Sequence, residues 1–287
     1  MKLGVSSYSL HQAVHKGDMT FLDSISWVKE NGGEHFEVVP IHFDLVEQPD
    51  LIAAIKSKAQ SEEIELSNYA IGANFIQPTE QKYEKEIERV KCHVDVAKAL
   101  GVRFMRHDVA IRPLCDTHIE QYYHDLPLMV RACQEIADYA KPFGITTSVE
   151  NHGYYLQASD RVQLLVRLVN RDNFKTTLDV GNFLCVDEDP INAVMNNLPF
   201  ASFIHIKDFY YRDTIIEMGE GWFTSKNGKS LRGAIAGEGD LNMTEVIRII
   251  KQSNYQGAIS LEFEGIEDCG QAIKSGLANI RRIWDQV

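Results

Sequence analysis

Cysteine is scarce in this 287-residue chain: five in all, none in a C-x-x-C pair. An odd, scattered set excludes a disulfide framework and reads as reduced thiols. Long apolar runs are missing too. No stretch approaches the roughly 18 residues of a membrane span, and the start, MKLGVSSYSLHQ, lacks the apolar run of a signal peptide. The expectation is a cytoplasmic protein. Positive charge is in short supply: 29 Lys and Arg face 41 Asp and Glu, a net charge of −12. Neutralising a phosphate backbone or an anionic membrane takes Lys and Arg, so neither nucleic acid nor a membrane surface is expected as a partner. The residues after Tyr8 contain no G-x-G-x-x-G, and no G-x-x-x-x-G-K-[ST] occurs anywhere. A dinucleotide or P-loop phosphate cradle is therefore not indicated.

What is present is alternation. Eight strand-like runs begin at residues 3, 35, 65, 102, 145, 175, 202 and 258, with helical segments between them. KALGVRF, KPFGITT and NYQGAIS share one grammar: a helix, a glycine stop, then a strand. Thr20–Asn31, Tyr83–Leu100 and Thr244–Ser253 read as helices, and the stretch before Gly144 holds Leu126–Ala140. Asp189-Pro190 and Ser159-Asp160 mark two more helix starts. Eight such units, without a linker, predict an α/β fold: one (β/α)8 barrel domain over residues 1–287. The last interval is long. Residues 210–241 form an insertion after strand seven, with Asn227-Gly228 as a hairpin turn, expected over the barrel mouth. As a lid it would bring Trp222, Lys226 or Arg232 to a ligand.

The last four strands each end on an ionisable residue: Glu150, Asp179, His205 and Glu262. Successive strand residues face opposite ways, so these four share the barrel interior while Val149, Leu178, Ile204 and Leu261 face outward. Three clustered carboxylates repel unless a cation joins them. The set predicts one divalent ion, with Mn²⁺, Co²⁺, Zn²⁺ and Mg²⁺ all compatible. Arg106, Asp108, Glu37, His152 and Lys207 are placed to bind ligand hydroxyls or a phosphate, whereas His107 and the pair Trp27 and Trp284 read as structural.

SVENHG, LDVGN, HIKD, GEGDLN and ISLE occur in this order. On these phrases the chain resembles the sugar phosphate isomerase/epimerase family, which includes ketose 3-epimerases, inosose dehydratases and hydroxypyruvate isomerases. The resemblance covers essentially the whole chain. It implies a metal held by Glu150, Asp179, His205 and Glu262, with Glu150 and Glu262 also flanking the substrate as catalytic acid and base. It also implies a possible homo-oligomer. Two positions depart from ketose 3-epimerases. Asn182 stands where they carry a His, and Arg212 is the nearest counterpart of an Arg that follows their strand-seven His.

The expected function is a metal-dependent isomerase or epimerase of a small sugar or polyol-like carbonyl compound. Such chemistry removes a proton beside a carbonyl, which needs a Lewis acid and a positioned base. A dehydratase shares that first step and is the alternative. An endonuclease-type hydrolase and a non-catalytic sugar-binding barrel are the remaining readings, the former opposed by the net charge.

Overall fold

The computed structural model describes residues 1–213 and 218–287; part of the expected insertion, 214–217, lies outside the described residues. Eight parallel strands close a barrel. They are β1 (Lys2–Ser6), β2 (His35–Val38), β3 (Glu65–Ile71), β4 (Phe104–His107), β5 (Thr146–Glu150), β6 (Phe174–Asp179), β7 (Ala201–Ile206) and β11 (Ala258–Leu261). β11 pairs with both β7 and β1, which closes the ring. Between β7 and β11 the chain adds β8 (Asp208–Arg212), β9 (Phe223–Thr224) and β10 (Ser230–Ala234), a small antiparallel sheet. The helices are α1 (His11–Lys16), α2 (Phe21–Glu30), α3 (Pro49–Ser61), α4 (Glu80–Leu100), α5 (Ile119–Ala140), α6 (Ser159–Val169), α7 (Pro190–Asn197), α8 (Met243–Gln252) and α9 (Cys269–Gln286).

Local chemistry sets most of the boundaries. Thr20 and Asp23 form a capping box at the start of α2. Gly101 ends α4 in the left-handed conformation, at φ +81°. Asp189 caps α7, with Pro190 in its first turn. α5 runs over Ile119–Ala140 and contains the expected Leu126–Ala140 stretch, with Pro127 inside it. Its first two turns are held by burial of Tyr122 and Asp125, a tertiary effect that local pattern does not carry. The eighth strand leaves the ladder after Leu261, although the Glu262 amide still donates to the Ile206 carbonyl.

Val149, Leu178, Ile204 and Leu261 join helix residues such as Leu165, Val194, Ile247 and Ile273 in one continuous core outside the barrel. Inside, Phe203 packs against both His35 and Phe104. Phe203 sits edge-on beneath His205 at 5.7 Å between ring centroids. The barrel is therefore filled below and polar above, the arrangement that places a site at the C-terminal ends of the strands. Among the described residues no disulfide forms, and no helix is long and apolar enough to cross a membrane.

Candidate metal centre and polar cavity

The ladder register brings the strand ends together. Asp179 of β6 lies directly beside His205 of β7, and Ser260 of β11 is the other neighbour of His205. Glu150 ends β5 next to β6. One ligand atom from each of Glu150, Asp179, His205 and Glu262 falls within 4.8 Å of all the others, and all four residues are buried.

Asp179 is held by its own turn. Its Oδ1 accepts from the amides of Gly181 and Asn182, both at 2.8 Å. Position 181 must be glycine, because a Cβ there would stand 2.6 Å from the Lys207 carbonyl oxygen. The Asn151 side chain clamps the same residue: its Nδ2 donates to the Asp179 carbonyl at 2.8 Å and its Oδ1 accepts the Asp179 amide at 2.9 Å. Among the described residues Asp179 Oδ2 then accepts no hydrogen bond and has only Lys207 Nζ nearby, at 3.4 Å. Burial, reinforced by the Glu150 and Glu262 carboxylates, pushes the Asp179 carboxyl up to about 6 in spite of Lys207.

His205 presents its two ring nitrogens to different partners. Nδ1 faces Glu150 Oε1 at 3.2 Å and Glu262 Oε1 at 3.9 Å. Nε2 faces Glu37 Oε2 at 2.9 Å. Burial lowers the affinity of this ring for a proton, but Glu37, Glu262 and Glu150 together raise it well above the ordinary imidazole range. Glu150 moves the other way. Burial would raise it, and the Arg106 guanidinium and His205 hold it well below the ordinary carboxylate range.

The donor set fits a divalent cation. It offers three carboxylates and an imidazole nitrogen converging at one point, with two buried carboxylate oxygens, Glu150 Oε2 and Asp179 Oδ2, that accept no hydrogen bond among the described residues. The set does not select one metal.

A polar cavity of about 350 Å³ opens above the cluster, and Glu150, His205 and Glu262 form part of its wall. Arg106, Asp108, His152 and Lys207 line it as well. Arg106 forms ion pairs with Glu150 and with Asp108, the latter at 3.3 Å. Lys207 Nζ lies 2.6 Å from Glu262 Oε2 and 3.4 Å from Glu264 Oε2. His152 is half exposed at the rim, 3.8 Å from Asp108. Asn182 is buried and bridges Glu150 and Lys207, both at 3.4 Å.

The chain matches the family model described as xylose isomerase-like TIM barrel over residues 25–283, most of its length. It belongs to that family. An inosose isomerase of Halalkalibacterium halodurans is 24% identical over 186 residues, 64% of this chain and 61% of that relative's length. Solved structures share the fold along almost the whole chain. A probable 3-DHS dehydratase of Bacillus anthracis gives a TM-score of 0.76 at 17% identity, covering 98% of this chain and 99% of that one. D-psicose 3-epimerase, solved in the presence of D-fructose, gives 0.74 at 18% identity, with 99% of each chain covered. A Mycobacterium smegmatis member in complex with magnesium gives 0.71 at 17% identity, covering 92% and 88%.

Within this xylose isomerase-like barrel, several residues expected at the ligand, Asn182 among them, lie outside the cavity wall. Glu37 has no exposed surface and sits behind His205, outside the cavity wall. Arg212 pairs with Asp240 at 2.5 Å, and Trp222 stacks near Arg212 and Arg232; none of the three lines the cavity. Arg232 is held between Tyr210, Trp222 and Glu267. Ser225 and Asn227 bind Asp187 in the loop after β6, and the Lys226 amide donates to the Cys185 carbonyl. These contacts fix the hairpin against neighbouring loops at the C-terminal end of the barrel. His107 is fully buried as a structural residue, and burial lowers it to about 4. Trp27 and Trp284 pack against the core.

The motif HIKD divides its labour. His205 and Lys207 face the site, whereas Asp208 accepts from the amides of Phe209, Gly237, Gly239 and Leu241, so it anchors the GEGDL turn. Sequence reasoning missed Asn151 and Asn68, whose roles are hydrogen bonds to residues of other strands. The pairing of Asn151 with Glu150 in SVENHG was the one signal that pointed toward it.

Proposed function

We propose that the protein is a divalent-metal-dependent isomerase or epimerase of a small sugar or polyol-like carbonyl compound, acting by removal of a proton from carbon beside that carbonyl. The observation that carries this reading is the convergence of Glu150 and Glu262 from β5 and the end of β11 on one buried cluster that also forms the floor of a polar cavity. A divalent cation held by Glu150, Asp179, His205 and Glu262 would supply Lewis-acid polarisation of a substrate oxygen.

The chain's own groups do the rest. Each glutamate has one oxygen turned toward His205 Nδ1 and the cluster. The other oxygen of Glu150 meets Arg106, and that of Glu262 meets Lys207 at 2.6 Å. These second oxygens are placed to carry a proton, and for Glu150 the Arg106 guanidinium favours the charged, proton-accepting form. Arg106, Asp108 and His152 orient hydroxyl groups. The relatives' names, an inosose isomerase and a D-psicose 3-epimerase, support a neutral polyhydroxy carbonyl substrate.

One observation favours a dehydratase as a second reading: the Lys207 ammonium stands in the cavity wall beside Glu262. There it is placed to protonate a hydroxyl leaving from the carbon next to the one deprotonated. The likeness to a probable 3-DHS dehydratase agrees with it.

The test is turnover in deuterated water across a panel of ketoses and inososes. Product carrying solvent deuterium at the inverted or isomerised carbon supports the proposal, and loss of water instead selects the dehydratase. A rearranged product with no solvent deuterium contradicts proton abstraction and points to a hydride shift. Replacing Glu150 or Glu262 by Gln should lower turnover by roughly 10²–10⁴-fold, the worth of a positioned acid or base.

A further inference from the structure

Glu37 is a fully buried carboxylate on β2, across the barrel from most of the cluster and outside the cavity wall. A group of this kind costs several kcal/mol to bury unless something specific pairs with it. Among the described residues its hydrogen-bond partners are two. His205 Nε2 lies 3.0 Å from Oε1 and 2.9 Å from Oε2. Asn68 Nδ2, on the neighbouring strand, donates to Oε1 at 2.8 Å. β2 and β3 pair Glu37 directly with Asn68, so the amide is fixed in register beside the carboxylate.

An ionised carboxylate only accepts hydrogen bonds. The nitrogen facing it must therefore carry the hydrogen, and that nitrogen is Nε2. The other nitrogen, Nδ1, points into the cluster toward Glu150 and Glu262.

We propose that Glu37 is a positioning residue: it holds the Nε2 hydrogen of His205 and so makes Nδ1 the nitrogen that binds the cation. The inference rests on the cation site proposed above. The arrangement is a carboxylate–imidazole–metal relay in which the carboxylate never touches the metal, and partners of this kind are worth about 10–100-fold in metal affinity.

Asn68 makes the proposal testable. In Glu37→Gln the new side chain retains its size, but Asn68 still presents its amide hydrogens. The introduced carbonyl oxygen turns to meet them, and the introduced amide hydrogens turn toward Nε2. Nε2 is then forced to accept, the hydrogen moves to Nδ1, and the metal-binding lone pair is lost. Adding Asn68→Asp reverses this. The carboxylate gained on β3 accepts from the glutamine amide on β2, and the glutamine carbonyl again faces Nε2–H.

The experiment titrates zinc alone into the metal-stripped full chain of wild type, H205A, E37Q, N68A and the E37Q/N68D double variant, against a competing chelator. It also records nitrogen NMR spectra of the zinc-loaded wild type with isotope-labelled histidine. The expected results are a 10–100-fold weaker affinity in E37Q, a smaller loss in N68A, and recovery to within a few-fold of wild type in the double variant. In the spectra His205 should carry its hydrogen on Nε2. Zinc-bound wild type with the hydrogen on Nδ1 overturns the proposal without any variant, should E37Q fail to fold. If wild type binds zinc, H205A does not, and E37Q binds like wild type, the positioning role alone is wrong. If wild type binds no zinc, the cation site itself is wrong, and with it this inference.

Discussion

Asp208 and Asn151 sit among the residues that look most functional in the sequence, yet neither touches the cavity. Asp208 gathers four backbone amides, three of them from the segment that follows the hairpin, and Gly239 leaves it the room: a Cβ there would lie 2.2 Å from Asp208 Oδ1. Asp208→Ala leaves those buried donors unpaired and should cost about 2–4 kcal/mol of stability, measured by urea unfolding. Zinc affinity of the folded variant should stay within a few-fold of wild type. Asn151 is different, because both its hydrogen bonds hold the backbone of Asp179. Asn151→Ala should cost about 3 kcal/mol and also weaken metal binding, since the ligand's own turn loses its clamp. The two outcomes together separate residues that shape the frame from residues that aim a ligand.

Among the elements, α5 and the loop before it carry a second buried charge network, remote in character from the site. Arg112 grips Asp125 at 2.5 and 3.0 Å, and the Tyr155 hydroxyl donates to the same carboxylate at 2.6 Å. Burial raises this carboxyl, but Arg112 and Tyr155 outweigh it and hold it at about 2. A carboxyl lowered on folding contributes stability that is fully present above its unfolded value, near 3.8, and is lost as the pH falls through the folded one. Unfolding free energy should therefore fall between about pH 4 and pH 2 partly through this residue. Asp125→Asn should be less stable by about 2 kcal/mol near neutrality and show a shallower slope in that window. Denaturant midpoints measured at several pH values check this; parallel curves for the two proteins would contradict it. The network also holds the first two turns of α5, ahead of the Leu126–Ala140 stretch named from the sequence. Asp125 is buried by partners distant in the chain, which the local pattern does not carry.

For the molecule as a whole, the eight strands and the four-residue cluster were legible because both are signalled locally. Most strands announce themselves by β-branched or aromatic runs, several of them after a glycine stop, and Glu150, Asp179, His205 and Glu262 each sit where such a run ends. What was not legible depends on which strands face each other across the ring. Glu37 read as a ligand-binding residue because strand two ends near it; its partner His205 is 168 positions away, on a strand separated from β2 by two others. Trp222, Lys226 and Arg232 read as lid residues because the insertion follows strand seven, and Arg212 read as the counterpart of a family arginine. The insertion's anchoring by Asp187, Asp240 and Glu267 is set by loops the local pattern does not describe.

A cation that binds only the folded barrel should stabilise all of it. At a free zinc concentration a hundredfold above its dissociation constant the gain is about 2.7 kcal/mol. The thermal midpoint should rise by several degrees and fall back when a chelator is added.

The central claim is that these four strand ends hold one divalent ion, and the most direct measurement is metal content. Elemental analysis of the purified chain, reloaded with manganese or zinc and freed of loosely bound ion, should find about one equivalent per chain in wild type. It should find almost none in His205→Ala or Asp179→Ala. Undiminished metal in both variants would show that the ion, if present, is held somewhere else, and the account of the site would fail.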